Sequence, residues 1–192
     1  MLSDTLKHLA SHGITPIVYH DGVDFPHRGK EKFWMTWDEM LKDAHQHKDV
    51  DLFMFIPDDF ENIDIERIKE IHQEFKGRPY IYNIINDGRV EQWTPFKATP
   101  PKNGHQRVGF TDCGFFCNRR ALECTKWKVK PIDPARWKKD PKASSGVGRY
   151  LTLTFTNYKI PMYKPVKSLA YHGDHESVMH PEERKNNPLI SK

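Results

Sequence analysis

Apolar positions recur along this chain in two different periods, and the alternation between those periods predicts an α/β fold. Leu2, Leu6 and Leu9, at spacings of four and three, mark one face of a helix that closes near Gly13. Ile14 to Tyr19 is a short run with β-branched residues that ends in His20-Asp21-Gly22, the pattern of a buried strand and a turn. Thr36 with Glu39 three residues on forms a capping-box pattern, and Trp37, Met40, Leu41 and Ala44 follow at helical spacing. Leu52 to Ile56 is apolar without alternation, as in a strand covered on both faces, and it stops abruptly at Pro57-Asp58-Asp59. Ile65, Ile68 and Phe75 mark a further helix ended by Gly77, and Tyr80 to Ile85 is again strand-like.

The second half is punctuated more densely. Asp87-Gly88, set before Val90 to Trp93, is a two-residue hairpin signal, and the proline-rich stretch from Pro95 to Gly104 predicts a loop. Val108 to Cys117 predicts a strand, and Arg119 to Thr125 a short helix. Leu151, Leu153 and Phe155 alternate with threonines as in a strand, while Val147, Tyr150, Leu151 and Thr154 fit one face of a helix, and the pattern leaves both open. A last strand is expected over Val166 to His172. The order of elements predicts a mixed, mainly parallel sheet, with ligands beyond the carboxyl ends of its strands.

Length and composition narrow this picture to one domain over residues 1–192, with 178–192 a polar C-terminal tail. A hydrophobic fraction of 37% and an aromatic fraction of 12% fit a packed globular chain. No run of about 18 apolar residues and no signal-sequence pattern occurs, so a cytoplasmic protein without membrane insertion is expected. Cys113, Cys117 and Cys124 cannot close a set of disulfides and are expected to be reduced thiols. The net charge of +4 is unevenly placed: between Arg119 and Lys142, nine Lys or Arg stand against Glu123, Asp133 and Asp140, giving +6 in this stretch alone. Interleaved with Trp127 and Trp137, that excess suits either an anionic partner or a solvated loop.

Two constellations carry candidate chemistry. Asp58 and Asp59, with Glu61 close behind, lie where the most apolar strand leaves the core. Adjacent carboxylates repel, and a hard divalent cation that keeps open positions for phosphate oxygens would offset them. The competing explanation is a helix N-cap at Asp59 or Asn62. His172-Gly173-Asp174-His175 follows the last expected strand; a neutral imidazole is a good metal ligand, and glycine allows close backbone approach to an anion.

Taken in order, the cluster Phe55-Ile56-Pro57-Asp58-Asp59, the segment Phe110 to Phe116 with Asn118 to Leu122, and Ser168 to Gly173 make the chain similar to GT-A type glycosyltransferases from Ile14 to Ser177. Ser177, Met179, His180-Pro181 and Pro188-Leu189 look particularly like small glycosyltransferases encoded by bacteriophages. The resemblance implies a GT-A-like domain that lacks the family's usual first strand. It implies Asp59 and His172 as ligands of a divalent metal, Mn2+ or Mg2+, with Asp58 in the middle position of the DxD motif and Pro57 in the first. Asp21, Arg28, Lys30 and Asp58 would face the nucleotide-sugar donor, and Asp112 is the candidate general base. Ser144, Ser145, Gly146 and Trp137 would line the acceptor site, although Ser144 to Gly146 also suit a flexible loop and helix cap. The implied activity is hexosyl or pentosyl transfer to an acceptor hydroxyl, with modified phage DNA bases or a surface polysaccharide as acceptor. A metallo-phosphoesterase or nuclease built on Asp58, Asp59, His172 and His175, and a non-catalytic nucleic-acid or carbohydrate-binding protein, are the alternatives.

Overall fold

The computed structural model describes residues 2–20, 29–86, 99–141 and 143–172. The elements are, in chain order, α1 (Leu2–Ser11), α2 (Gly29–Gln46), β1 (Leu52–Phe55), β2 (Phe60–Glu61), α3 (Ile65–Phe75), β3 (Ile81–Asn83), β4 (His105–Val108), β5 (Phe115–Asn118), α4 (Arg119–Glu123), α5 (Ala135–Lys139), α6 (Val147–Asn157), β6 (Met162–Pro165) and β7 (Tyr171–His172). The Asp87-Gly88 hairpin signal and the polar tail lie outside the described residues.

Five strands form one open sheet in the order β1-β5-β3-β6-β4, and β2 pairs with β7 in a separate ribbon. The fold is α/β and the sheet is mixed, but it is not mainly parallel: among the described residues β1/β5, β3/β5 and β4/β6 are antiparallel, and β3/β6 alone is parallel. The reason is the place of β5. The β1-α3-β3 unit sets two strands in the same direction with a slot between them, and β5 fills that slot running the opposite way. Its register ties Phe115 to both Phe55 and Asn83. The carboxyl ends of β1 and β3 therefore meet the amino end of β5 at one end of the sheet.

Both faces of the sheet are covered, which explains the unbroken apolar runs. Phe53, Phe55 and Phe115 pack against Trp37 and Leu41 of α2 and Leu151 and Phe155 of α6. Tyr82 and Phe116 face Leu9 of α1 and Ile68, Ile71 and Phe75 of α3. Phe115 and Phe116 point to opposite faces and both are fully buried, each worth roughly 1.5–3 kcal/mol in transfer free energy.

Several elements differ from the expected bounds, and one left open is settled. Residues 14–20 form no strand: Ile17 is 55% exposed, Pro16 has no N–H to give a ladder, and no described strand pairs with them. Helix α2 starts at Gly29 rather than at Thr36, so Thr36 is buried inside the helix; Phe33 extends the apolar stripe one turn backwards. The segment from Leu151 is helical, because Leu151 and Phe155, four apart, are buried while Leu153 between them is 45% exposed. The long strand expected over 108–117 is two strands, β4 and β5, with a loop between, and that over 166–172 is reduced to β7.

At the other end of the sheet, a buried histidine makes stability depend on pH. His72 of α3 places Nδ1 2.8 Å from the Tyr80 hydroxyl and Nε2 3.6 Å from the Asp51 carboxylate. Burial is the main cause holding its pKa below the ordinary 6.5; Asp51 pulls the other way and Lys76 adds to the lowering. The unfolded chain takes up this proton near pH 6.5 and the folded chain only at lower pH. The neutral His72 thus contributes fully above about 6.5, and its contribution falls as pH drops from there toward the folded pKa. Melting temperature is expected to fall between about pH 7.5 and 5.5, and to fall less steeply in His72→Gln. Parallel profiles for the two proteins would contradict this assignment.

Candidate functional site

The site is built where β1 and β3 end and β5 begins. After β1 the chain turns through Pro57, Asp58 and Asp59 into β2, closed by Phe60 N–H donating to the Pro57 carbonyl at 3.2 Å. Asp58 is exposed, whereas Asp59 is 8% exposed. Gly114, immediately before β5, lets this turn approach: a Cβ there would stand 2.5 Å from Phe60 Cζ and 3.4 Å from Pro57 Cδ. No other residue type fits that contact without moving the buried Phe60 ring. Gly114 also joins the end of β3, since its carbonyl accepts from Ile84 N–H at 3.2 Å.

The last described segment is drawn to the same place. Leu169 N–H donates to the Ile84 carbonyl at 2.9 Å, the Leu169 carbonyl accepts from Asp64 N–H at 2.7 Å, and Ser168 Oγ accepts from Asn86 N–H at 2.9 Å. In the β2/β7 ribbon, Phe60 pairs with His172 and Glu61 with Tyr171. The backbone of His172 thus lies across from the residue that follows Asp59, about 5 Å away between Cα atoms.

Asp112 is held by a polar network inside the protein. Thr111, fully buried, donates through Oγ1 to Asn83 Oδ1 at 2.7 Å, and its N–H donates to Thr152 Oγ1 at 2.9 Å. Thr152 Oγ1 in turn donates to the Thr111 carbonyl at 3.0 Å, and Asn83 Nδ2 to the Phe110 carbonyl at 2.9 Å. Buried polar groups satisfied in this way fix one geometry. Asp112 itself is exposed; its Oδ1 accepts from Cys113 N–H at 2.8 Å and would be 3.1 Å from a Cβ on Gly148. Its carboxylate therefore sits against the first turn of α6, the positive end of that helix. Burial pushes the Cys113 thiol well above its ordinary range and Asp112 adds to the shift, the direction that disfavours a nucleophilic thiolate. All three cysteines are free, and burial pushes Cys124 up to about 12.

The helix-cap explanation of Asp59 and Asn62 does not hold. The cap of α3 is Asp64, whose Oδ1 accepts from Arg67 N–H at 3.0 Å, and Asn62 adopts a left-handed conformation with φ of 50°. Asp58, Asp59, Asp112 and the His172 backbone are brought to one end of the sheet. Gly146, left-handed with φ of 79°, precedes α6 and leads through Gly148 to Asp112. The adjoining Ser144 accepts from Arg136 Nη2 through Oγ at 3.3 Å, and Ser145 is half-buried. Trp137 does not serve as an exposed platform. It is 4% exposed and its indole N–H donates to the Ser144 carbonyl at 3.2 Å, so it anchors the loop from behind. Lys30, expected to face the donor, donates instead to the Pro141 carbonyl. Asp21 and Arg28 lie outside the described residues.

Asn83, Thr111, Thr152, Gly114 and Gly148 were absent from the candidates named from sequence. Asn83 carried a signal, as an amide at the end of an otherwise apolar strand; nothing local marks the others. Among the described residues, no group of three or more His, Cys, Asp and Glu side chains could hold a metal ion. A cation shared between one or two carboxylates and the phosphates of a ligand needs no such group. No helix among the described residues is long and apolar enough to cross a membrane. No family model matches the chain, and no curated protein or solved structure is significantly similar to it.

Proposed function

We propose that this chain transfers a sugar from a nucleotide-sugar donor to an acceptor hydroxyl with the help of a divalent cation, Mn2+ or Mg2+. The observation that carries this reading is the juxtaposition at one sheet end of an acidic pair, exposed Asp58 and buried Asp59, with a separately braced carboxylate, Asp112. Two sets of carboxylates with different supports suit two tasks. Asp59 would hold the cation and Asp58 the donor beside it; bound there, the cation neutralises charge on the departing diphosphate. Asp112 takes the proton from the acceptor hydroxyl as that oxygen forms its bond to the anomeric carbon and the nucleoside diphosphate leaves. The Asn83-Thr111-Thr152 network keeps Asp112 in place through this step.

The test is a melting-temperature screen of nucleoside diphosphates and nucleotide sugars with and without manganese, followed by product analysis with the stabilising donor. A specific ligand at 100 times its Kd adds about 2.7 kcal/mol. Asp112→Asn is expected to keep the donor-induced shift and to lose sugar transfer by about 100-fold or more, in the range removed with a general base. Equal turnover in Asp112→Asn would exclude it as the base. Hydrolysis of phosphodiesters without any sugar donor would favour the nuclease alternative.

A further inference from the structure

The stretch from Thr125 to Ile132 lies over the α2/α6 face as an irregular strap whose burial alternates from Thr125 to Lys130. Trp127 and Val129 are 8% and 2% exposed, whereas Lys126, Lys128 and Lys130 are exposed. The inward residues are pinned: Trp127 stacks on His45 with ring centroids 5.0 Å apart, the Arg119 guanidinium lies 4.9 Å from the Trp127 ring, and Val129 N–H donates to Asp38 Oδ1 at 2.9 Å. Lys126 and Trp127 both have φ of 56°, a left-handed conformation that non-glycine residues rarely adopt, least of all two in succession. Where the strap is extended, residues two apart are about 6.6 Å apart, which sets Lys128 and Lys130 at a regular spacing on one outward edge. No acidic residue interrupts the sequence from Cys124 to Ile132.

The far end of the strap reaches the candidate site. Ile132 Cδ1 and Arg136 Cζ would each be 3.6 Å from a Cβ on Gly146, two residues before the Gly148 that abuts Asp112. A cavity of about 570 Å³ opens beside this point, lined by Arg136, Lys139, Asp140, Ala143 and Ser144. The cations thus run from the strap to the rim of the Asp112 loop, while both tryptophans of the stretch are closed to solvent. That combination suits phosphates and offers no ring on which an unpaired base could stack.

We propose that the strap is a track for the phosphate backbone of duplex DNA, with Lys126, Lys128 and Lys130 along it and the Arg136/Lys139 cavity taking a phosphate nearest Asp112. The track stands on its own geometry; its role in presenting an acceptor rests on the sugar-transfer reading above. The test is fluorescence anisotropy of a labelled 20-base-pair duplex at several salt concentrations, comparing the wild-type chain with K126Q/K128Q/K130Q and with K7Q/K69Q/K76Q on the α1/α3 face. Each lost phosphate contact lowers the salt slope by about 0.9, so the strap triple is expected to lose about 2 to 3 from the slope and at least tenfold in low-salt affinity. The α1/α3 triple is expected to change little. Equal slopes for wild type and strap triple, equal losses in the two triples, or tighter binding to vesicles containing phosphatidylserine or to a single strand would each overturn the proposal. Failure of donor binding with duplex binding intact would remove the sugar-transfer reading and leave the track. The reverse result would remove only the track.

Discussion

Gly114→Val is expected to destabilise the protein by about 1–3 kcal/mol, the usual cost of overpacking, and to weaken the acidic turn at the same time. The added Cβ would lie 2.5 and 2.7 Å from Phe60 Cζ and Cε2, inside any tolerable contact. Phe60 cannot simply swing away. Its side chain is 3% exposed in the cluster formed with Ile63, Ile68 and Leu169, and its backbone pairs with His172. Moving it must displace either the Pro57-to-Phe60 turn that carries Asp59 or the β2/β7 ribbon. Gly77→Val is the matched control, because a Cβ there meets nothing within 4 Å. Urea unfolding of both variants, with their response to manganese and a nucleoside diphosphate, checks the expectation. Equal stability of the two variants would show that the turn yields freely and that the Gly114 contact does not position Asp59.

Much of the helical layer was legible in the sequence, because helix faces advertise themselves locally. Ile65, Ile68 and Phe75 gave α3, and their burial follows the 3.6-residue period. The strands were legible as apolar runs but not in their direction. Nothing in Phe115-Phe116-Cys117 tells whether it runs with or against β1; the slot between β1 and β3, a product of the whole chain, decides that. The pattern at Leu151 to Phe155 left helix and strand both open, because threonines between apolar residues look like a strand; the helix buries Thr152, which hydrogen-bonds to the Thr111 backbone. At Ile14 to Tyr19, composition suggested a strand, but a strand needs a partner for its ladder, and no described strand supplies one. The acidic turn was found because charge ending an apolar run is a local signal. Its packing against Gly114, and the bracing of Asp112 by Asn83, Thr111 and Thr152, were not, since these residues lie far apart in sequence and meet only in the fold.

Asp59→Asn is expected to lower manganese-dependent affinity for a nucleoside diphosphate on the order of 100-fold, about 2.7 kcal/mol, while the fold persists. Asparagine keeps the shape of the buried side chain and removes the charge that would hold the cation. The control is Asp64→Ala. Loss of that N-cap, whose Oδ1 accepts from Arg67 N–H at 3.0 Å, is expected to destabilise α3 by about 1 kcal/mol and to leave metal-dependent affinity unchanged. The two carboxylates lie five positions apart, yet one lies in the turn between β1 and β2 and the other caps α3, so their substitutions should separate binding from stability. Loss of stability without loss of affinity in Asp59→Asn would return Asp59 to a structural role.

The most direct measurement is calorimetric titration of uridine diphosphate into the wild-type protein and Asp59→Asn, each with and without manganese. Binding at one site per chain is expected for the wild-type protein in manganese, with little heat when the metal is absent and little in Asp59→Asn under either condition. Equal affinity with and without manganese, or equal affinity in wild type and Asp59→Asn, would contradict a metal-assisted nucleotide site at this end of the sheet.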